Sequence, residues 1–287
     1  MPRPSVARRP RRKAARRPNQ RLRPSRLWPF ARVNRRAQRE RWRSVPAMKI
    51  CLGLAVLTLI ALATNWIYQV TLKPAELLFP VSGALYKTPA ETWKRYGSLF
   101  RKYSTRLMTP DLLAAIAQVE SSGNPIVRTY WRWSWTTQPF NLYRPASSAV
   151  GMYQMTDGTF AQARHYCIRN HAVAVEVPGS GWRSCAFNDL YTRVLPGDAV
   201  ELTSAYLDRS VAMTLERRHM AAAPLAQQQR LATVIHLCGA AAGDVYASRG
   251  FRLIERQHCG DQDVRVYLAQ IAAMRSVFDH LARTQSR

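Results

Sequence analysis

The sequence predicts a mainly α-helical exported domain, carrying one small β-hairpin and preceded by a single membrane-spanning helix. Three observations predict it. Apolar residues recur at helical spacing through residues 110–121, 157–169, 198–216, 226–247 and 263–281. The stretch Ile50–Val70 contains no charge and has the length that crosses a bilayer as one helix. Four cysteines follow that stretch, an even set that suits an oxidising compartment. A chain of 287 residues accommodates one or two domains.

Residues 1–49 hold 18 Lys or Arg against a single acid, Glu40, so +17 of the formal net charge of +26 lies there. Its Arg-Pro clusters and scarcity of aliphatic residues cannot build a core, so residues 1–46 are expected to be disordered. This load ahead of Ile50–Val70 places the N-terminus inside and the remainder outside, with Trp66 and Tyr68 as interfacial anchors. Ala61-Leu62-Ala63 offers an alternative signal-peptidase site, which would make the segment a cleaved leader. Cys51 does not make a lipobox, because Lys49 lies two positions upstream. An arginine-rich tail also attracts nucleic acid, but it shows no folded motif, and orientation plus attraction to anionic lipids is the favoured account.

Residues 71–105 read as a juxtamembrane spacer entering a short helix with Trp93, Tyr96, Leu99 and Phe100 at core spacing. The domain proper is expected over 106–287. Thr109 suits the cap and Pro110 the first turn of a helix whose apolar face is Leu112, Leu113, Ile116 and Val119. Glu120 ends that helix. The negative end of the helix dipole and apolar surroundings both disfavour its carboxylate and are expected to raise its pKa, as a general acid needs. The aromatic, arginine-bearing stretch 127–146 alternates as a hairpin does. Its rings suit sugar faces or packing over the core, and its arginines suit carboxylates. Thr156 is expected to cap a helix over 157–169, followed by a loop-rich segment.

Among the four cysteines the local pairings Cys167–Cys185 and Cys238–Cys259 are preferred; a zinc site is the rival, weakened by the lack of a Cys-x-x-Cys pair. No phosphate-binding glycine loop, His-Glu-x-x-His or nucleophile elbow is present. Between Gly123 and Thr156 there is no Asp or Glu, so a retaining glycosidase's second carboxylate is missing from that stretch.

Glu120-Ser121-Ser122-Gly123-Asn124-Pro125, followed by Gly151-Met152-Tyr153-Gln154-Met155, resembles the SLT-type lytic transglycosylases of the goose-lysozyme-like superfamily. The resemblance covers roughly residues 106–250. It implies a lysozyme-like helical fold and cleavage of peptidoglycan between N-acetylmuramic acid and N-acetylglucosamine, leaving 1,6-anhydromuramyl ends. Glu120 would be the sole acid/base, without metal or cofactor. It implies that Ser121, Gly151, Met152, Tyr153 and Gln154 line the sugar cleft, with Tyr206 on the helix beside it. Where relatives carry a tyrosine that supports the glutamate, aligning Gly239 places His236, a departure from the family pattern. His236 can donate to Glu120, though a charged imidazolium lowers the carboxyl's pKa. A muramidase that admits water is the nearest alternative. By analogy, an anchor with a long cytoplasmic arm also suits a non-catalytic wall-binding accessory of a conjugation or type IV secretion machine.

Overall fold

The computed structural model describes residues 35–78, 82–135, 137–175, 185 and 188–285. Segment 1–34, and with it most of the basic tail, lies outside the described residues. The chain divides into two units, Met1–Leu57 and Thr58–Arg287. The described residues are mainly helical, with three two-stranded antiparallel sheets.

Helix α1 (Arg35–Leu72) starts earlier than expected. Residues 35–46 continue it rather than being disordered, and Pro46 lies inside it. Once an apolar helix is nucleated, each added residue gains a hydrogen bond without a second nucleation, and arginine is a good helix former. Within α1, Pro46–Leu72 is long and apolar enough to span a membrane.

The stretch read as a spacer belongs instead to the helical body. α2 (Pro89–Lys102) begins in a capping box: Glu91 N–H donates to the Thr88 hydroxyl at 3.3 Å, and Thr88 N–H donates to the Glu91 carboxylate at 2.8 Å. It buries Trp93, Tyr96 and Phe100, three of the four expected core positions, and leaves Leu99 half-buried.

Helix α3 (Pro110–Ser121) is the centre of the body. The sequence predicts one apolar face, but Leu112 to Gln118 are all buried. Ala114, Ala115 and Ala117 are small enough to let neighbours close in on the other sides. Pro110 takes the first turn as expected, whereas the Thr109 hydroxyl makes no cap bond and is buried without a partner.

After the hairpin of β1 (Trp131–Trp133) and β2 (Tyr143–Pro145) comes α4 (Asp157–Ala163), capped by Thr156 as expected. It ends at Ala163, six residues short of the expected limit. β3 (Tyr166–Arg169) and β4 (Ala172–Val175) follow, turning at Asn170 and His171, which both adopt positive φ. The aromatic and β-branched side chains of Tyr166, Ile168, Val173 and Val175 favour strands over a last helical turn.

α5 (Pro196–Arg217) covers the helix expected over 198–216 and buries Val200, Ala205, Leu207, Val211 and Leu215. The single helix expected over 226–247 is two, α6 (Leu225–Cys238) and α7 (Ala240–Ser248), broken at Gly239 with φ 84°. A short hairpin, β5 (His258–Cys259) with β6 (Gln262–Asp263), leads into α8 (Val264–Gln285). α8 packs along α3, with Val264, Tyr267, Ile271 and Phe278 buried. Val266 and Val277 on the same helix are 55% and 42% exposed. Both disulfides, Cys167–Cys185 and Cys238–Cys259, pair as preferred.

Candidate active site

The turn that follows Glu120 is fixed by backbone geometry. Ser122 (φ 51°) and Gly123 (φ 65°) turn left-handed, and a Cβ on Gly123 would sit 2.3 Å from Thr92 Oγ1 on α2. Thr92 Oγ1 donates to Gln118 Oε1 at 2.7 Å, and Gln118 Nε2 donates to Lys87 O at 3.0 Å. Asn124 is fully buried; its amide donates to Ser82 O at 2.7 Å and its oxygen accepts from Ile126 N–H at 3.0 Å. The Ser-Gly-Asn-Pro run thus locks the end of α3 against α2, and Glu120 stands on a fixed platform.

Three helices converge on the carboxyl. Tyr267, in the first turn of α8, donates its hydroxyl to Glu120 Oε1 at 2.5 Å. His236, in the last turn of α6, brings Nε2 to 3.3 Å from the same oxygen. The Glu120 side chain keeps 10% exposure, and among the described residues no donor reaches Oε2. Burial pushes the Glu120 carboxyl up, but the hydrogen bond and charge of His236 and the hydroxyl of Tyr267 together outweigh burial and hold it below its ordinary value. This corrects the expectation of a raised pKa, in which the helix end and apolar surroundings acted unopposed. Tyr267 itself is pushed well above the tyrosine range, by burial first and then by the adjacent carboxyl, so it stays a donor. No second carboxylate is among the groups that act on Glu120.

The other sequence-predicted residues are placed differently. Ser121 is buried, and its hydroxyl donates to Ala117 O and Met152 O, each at 2.9 Å. It joins α3 to the Gly151–Met155 segment rather than facing a cleft. Met152 and Tyr153 are core residues; the Tyr153 hydroxyl donates to Leu113 O at 3.2 Å. Gly151 (φ 84°) is required by close approach, since a Cβ there would meet Arg193 O at 2.0 Å. Gln154 (φ 45°) donates Nε2 to Val127 O and Gly151 O at 3.1 and 3.0 Å, and remains partly exposed. Tyr206 is 7% exposed and packs in the core. Of the set, His236 alone joins Glu120 directly, and Ser121 ties the Gly151–Met155 segment to the glutamate's helix.

Tyr267 was not singled out from the sequence. The signal lay in the spacing Val264, Tyr267, Ile271, an apolar stripe with one hydroxyl in it. The Cys238–Cys259 disulfide ties the chain two residues after His236 to the hairpin that leads into α8. It thereby restrains both donors. Among the described residues, no group of three or more His, Cys, Asp or Glu gathers as a metal site.

No family model, no curated protein and no solved structure matches this chain.

Proposed function

We propose that the chain is a membrane-anchored lytic transglycosylase of lysozyme-like fold that cleaves peptidoglycan, with Glu120 as its acid and base. One observation carries the reading: a lone carboxyl, nearly enclosed at the end of the central helix, receives two protein donors on one oxygen and leaves the other unbonded. A group held in that way can give and take one proton at a fixed point. Protonated Glu120 gives its proton to the glycosidic oxygen as the C1–O bond breaks. The sugar's 2-acetamido group stabilises the oxocarbenium-like centre. Glu120 then accepts the proton of the C6 hydroxyl as that oxygen closes on C1, and the carboxyl ends the cycle as it began.

The free site holds the carboxyl low, so the acid must be loaded. A glycan that covers the remaining exposed edge removes water from the carboxylate, which disfavours its charged form. That places the proton on Glu120 as substrate binds. Anchoring through Pro46–Leu72, with the basic tail in the cytoplasm and the body in the periplasm, sets the enzyme beside the wall.

The test is digestion of purified peptidoglycan by the full chain and by Glu120→Gln, with muropeptide ends identified by mass spectrometry. Anhydromuramyl ends from wild type and at least about a 100-fold loss in the variant are expected. Reducing ends would instead make it a muramidase. No cleavage by the folded, disulfide-bonded chain would favour a wall-binding accessory role.

A further inference from the structure

The β1–β2 hairpin turns large aromatic side chains outward. Trp135 is 99% exposed, Trp133 68% and Phe140 42%. On the strands, Arg132 stands directly opposite Arg144. Like charges so placed destabilise a sheet unless an anion lies against them, and among the described residues neither arginine has an acidic partner.

The level of this hairpin is set by the last turns of α1. Asn65 Nδ2 donates to Tyr143 O at 2.7 Å and Gln69 Nε2 to Phe140 O at 2.6 Å, while the Tyr68 ring lies 5.2 Å from that of Phe140. Further along, Lys73 Nζ donates to Ala149 O at 3.0 Å, and fully buried Glu76 accepts from Trp131 Nε1 at 2.9 Å. Lys49 is the last charge before the apolar run, every residue from Ile50 to Thr64 is exposed, and Asn65 is the first covered one after Ile50. At 1.5 Å per residue the charge-free run from Ile50 to Gln69 spans about 30 Å, the thickness of a bilayer's hydrocarbon core. The hairpin is thus bonded to the last turns of that run.

We infer that the hairpin is a second membrane contact, entering the headgroup layer of the leaflet that α1 leaves. Trp133, Trp135 and Phe140 sit at the boundary between headgroups and acyl chains, where aromatic rings are favoured. Arg132 and Arg144 meet lipid phosphates, which relieve their mutual repulsion. The occupant is lipid rather than glycan because the hairpin is bonded to the helix at the one level that a bilayer fixes. The inference rests on reading Pro46–Leu72 as the span, and the test separates the two.

The full chain, with Cys51 replaced by serine, would be placed in nanodiscs containing anionic lipid. Nitroxide labels would be introduced singly through Val56→Cys, Trp133→Cys, Trp135→Cys and, as an aqueous reference, Leu190→Cys, which is 77% exposed in wild type. Power saturation then compares collision with oxygen and with a water-soluble nickel chelate. The expected result is oxygen-dominated relaxation at 56 and several-fold lower nickel access at 133 and 135 than at 190. Nickel access at 56 would overturn the span reading and the inference with it. Lipid at 56 but water at 133 and 135 would overturn the inference alone. So would labels at 133 and 135 that become immobile only when glycan fragments are added, which would assign the hairpin to the wall.

Discussion

At the scale of single residues, Glu120 is governed by opposing influences on one carboxyl. Burial raises it, and His236 and Tyr267 lower it by more. In His236→Gln an amide donor remains but the charge goes, so the carboxyl rises. Activity that needs protonated Glu120 is lost as pH climbs through that value, so the alkaline limb of the pH–rate profile moves to higher pH. An unmoved limb would show that His236 does not hold the carboxyl down. Tyr267→Phe moves the limb in the same direction, through loss of a donor to the same oxygen. Asp208 offers a separate test of sign. Burial raises its carboxyl and the Thr105 hydroxyl only partly offsets that. An acid whose folded pKa is raised stabilises most below its unfolded value and loses that stability as pH rises through the folded one. Asp208→Asn keeps an acceptor for Thr105 and removes the buried charge. Its melting temperature should exceed wild type at neutral pH, and the gain should vanish below the ordinary aspartate value of 3.8.

At the scale of elements, the site is held by the helix ends and by one covalent tie. The Cys238–Cys259 bridge closes a separation of 21 residues, a loop length worth about 3 kcal/mol in chain entropy. It also fixes the last turn of α6 against the entry to α8. Replacing both cysteines by serine should lower stability by about that amount in denaturant titration, and should reduce turnover even where the fold persists. Loss of stability with unchanged turnover would show that the bridge does not position His236 and Tyr267. The elements also show what the sequence discloses. Periodicity exposed α3 and α5, because their apolar residues are continuous and long. It overran the ends of α4 and of the paired helices α6 and α7. The stops there depend on strand-forming side chains at 166–169 and on Gly239 with φ 84°, whose strength only tertiary packing decides. Motif spacing led to Glu120 and His236, which are close in space as well as named by pattern. It also named Ser121, Met152, Tyr153 and Tyr206, which lie buried, because a residue type that can touch a sugar can equally fill a core. Tyr267 was hidden for the converse reason: inside an apolar stripe, a hydroxyl looks like packing.

At the scale of the whole molecule, the anchor does not end where the body begins. The second unit starts at Thr58, and Asn65, Gln69, Lys73 and Glu76 each bond the segment spanning the hairpin and its flanks. Residues 58–76 thus belong to the same unit as the hairpin. Removing the helix should therefore weaken the fold as well as release it from the membrane. A chain that begins at Lys73 leaves the Tyr143 and Phe140 carbonyls without their side-chain donors, each worth about 1 kcal/mol. A deficit of about 2 kcal/mol corresponds to a melting temperature lower by about 4–8 °C for a body of this size. The comparison is thermal unfolding of both chains in the same detergent, followed by near-UV circular dichroism. Asn65→Leu with Gln69→Leu, introduced into the full chain, should reproduce most of the decrease while leaving the apolar helix intact. Equal melting temperatures for all three would show that the helix and hairpin only touch, and the anchor would then be a tether after all.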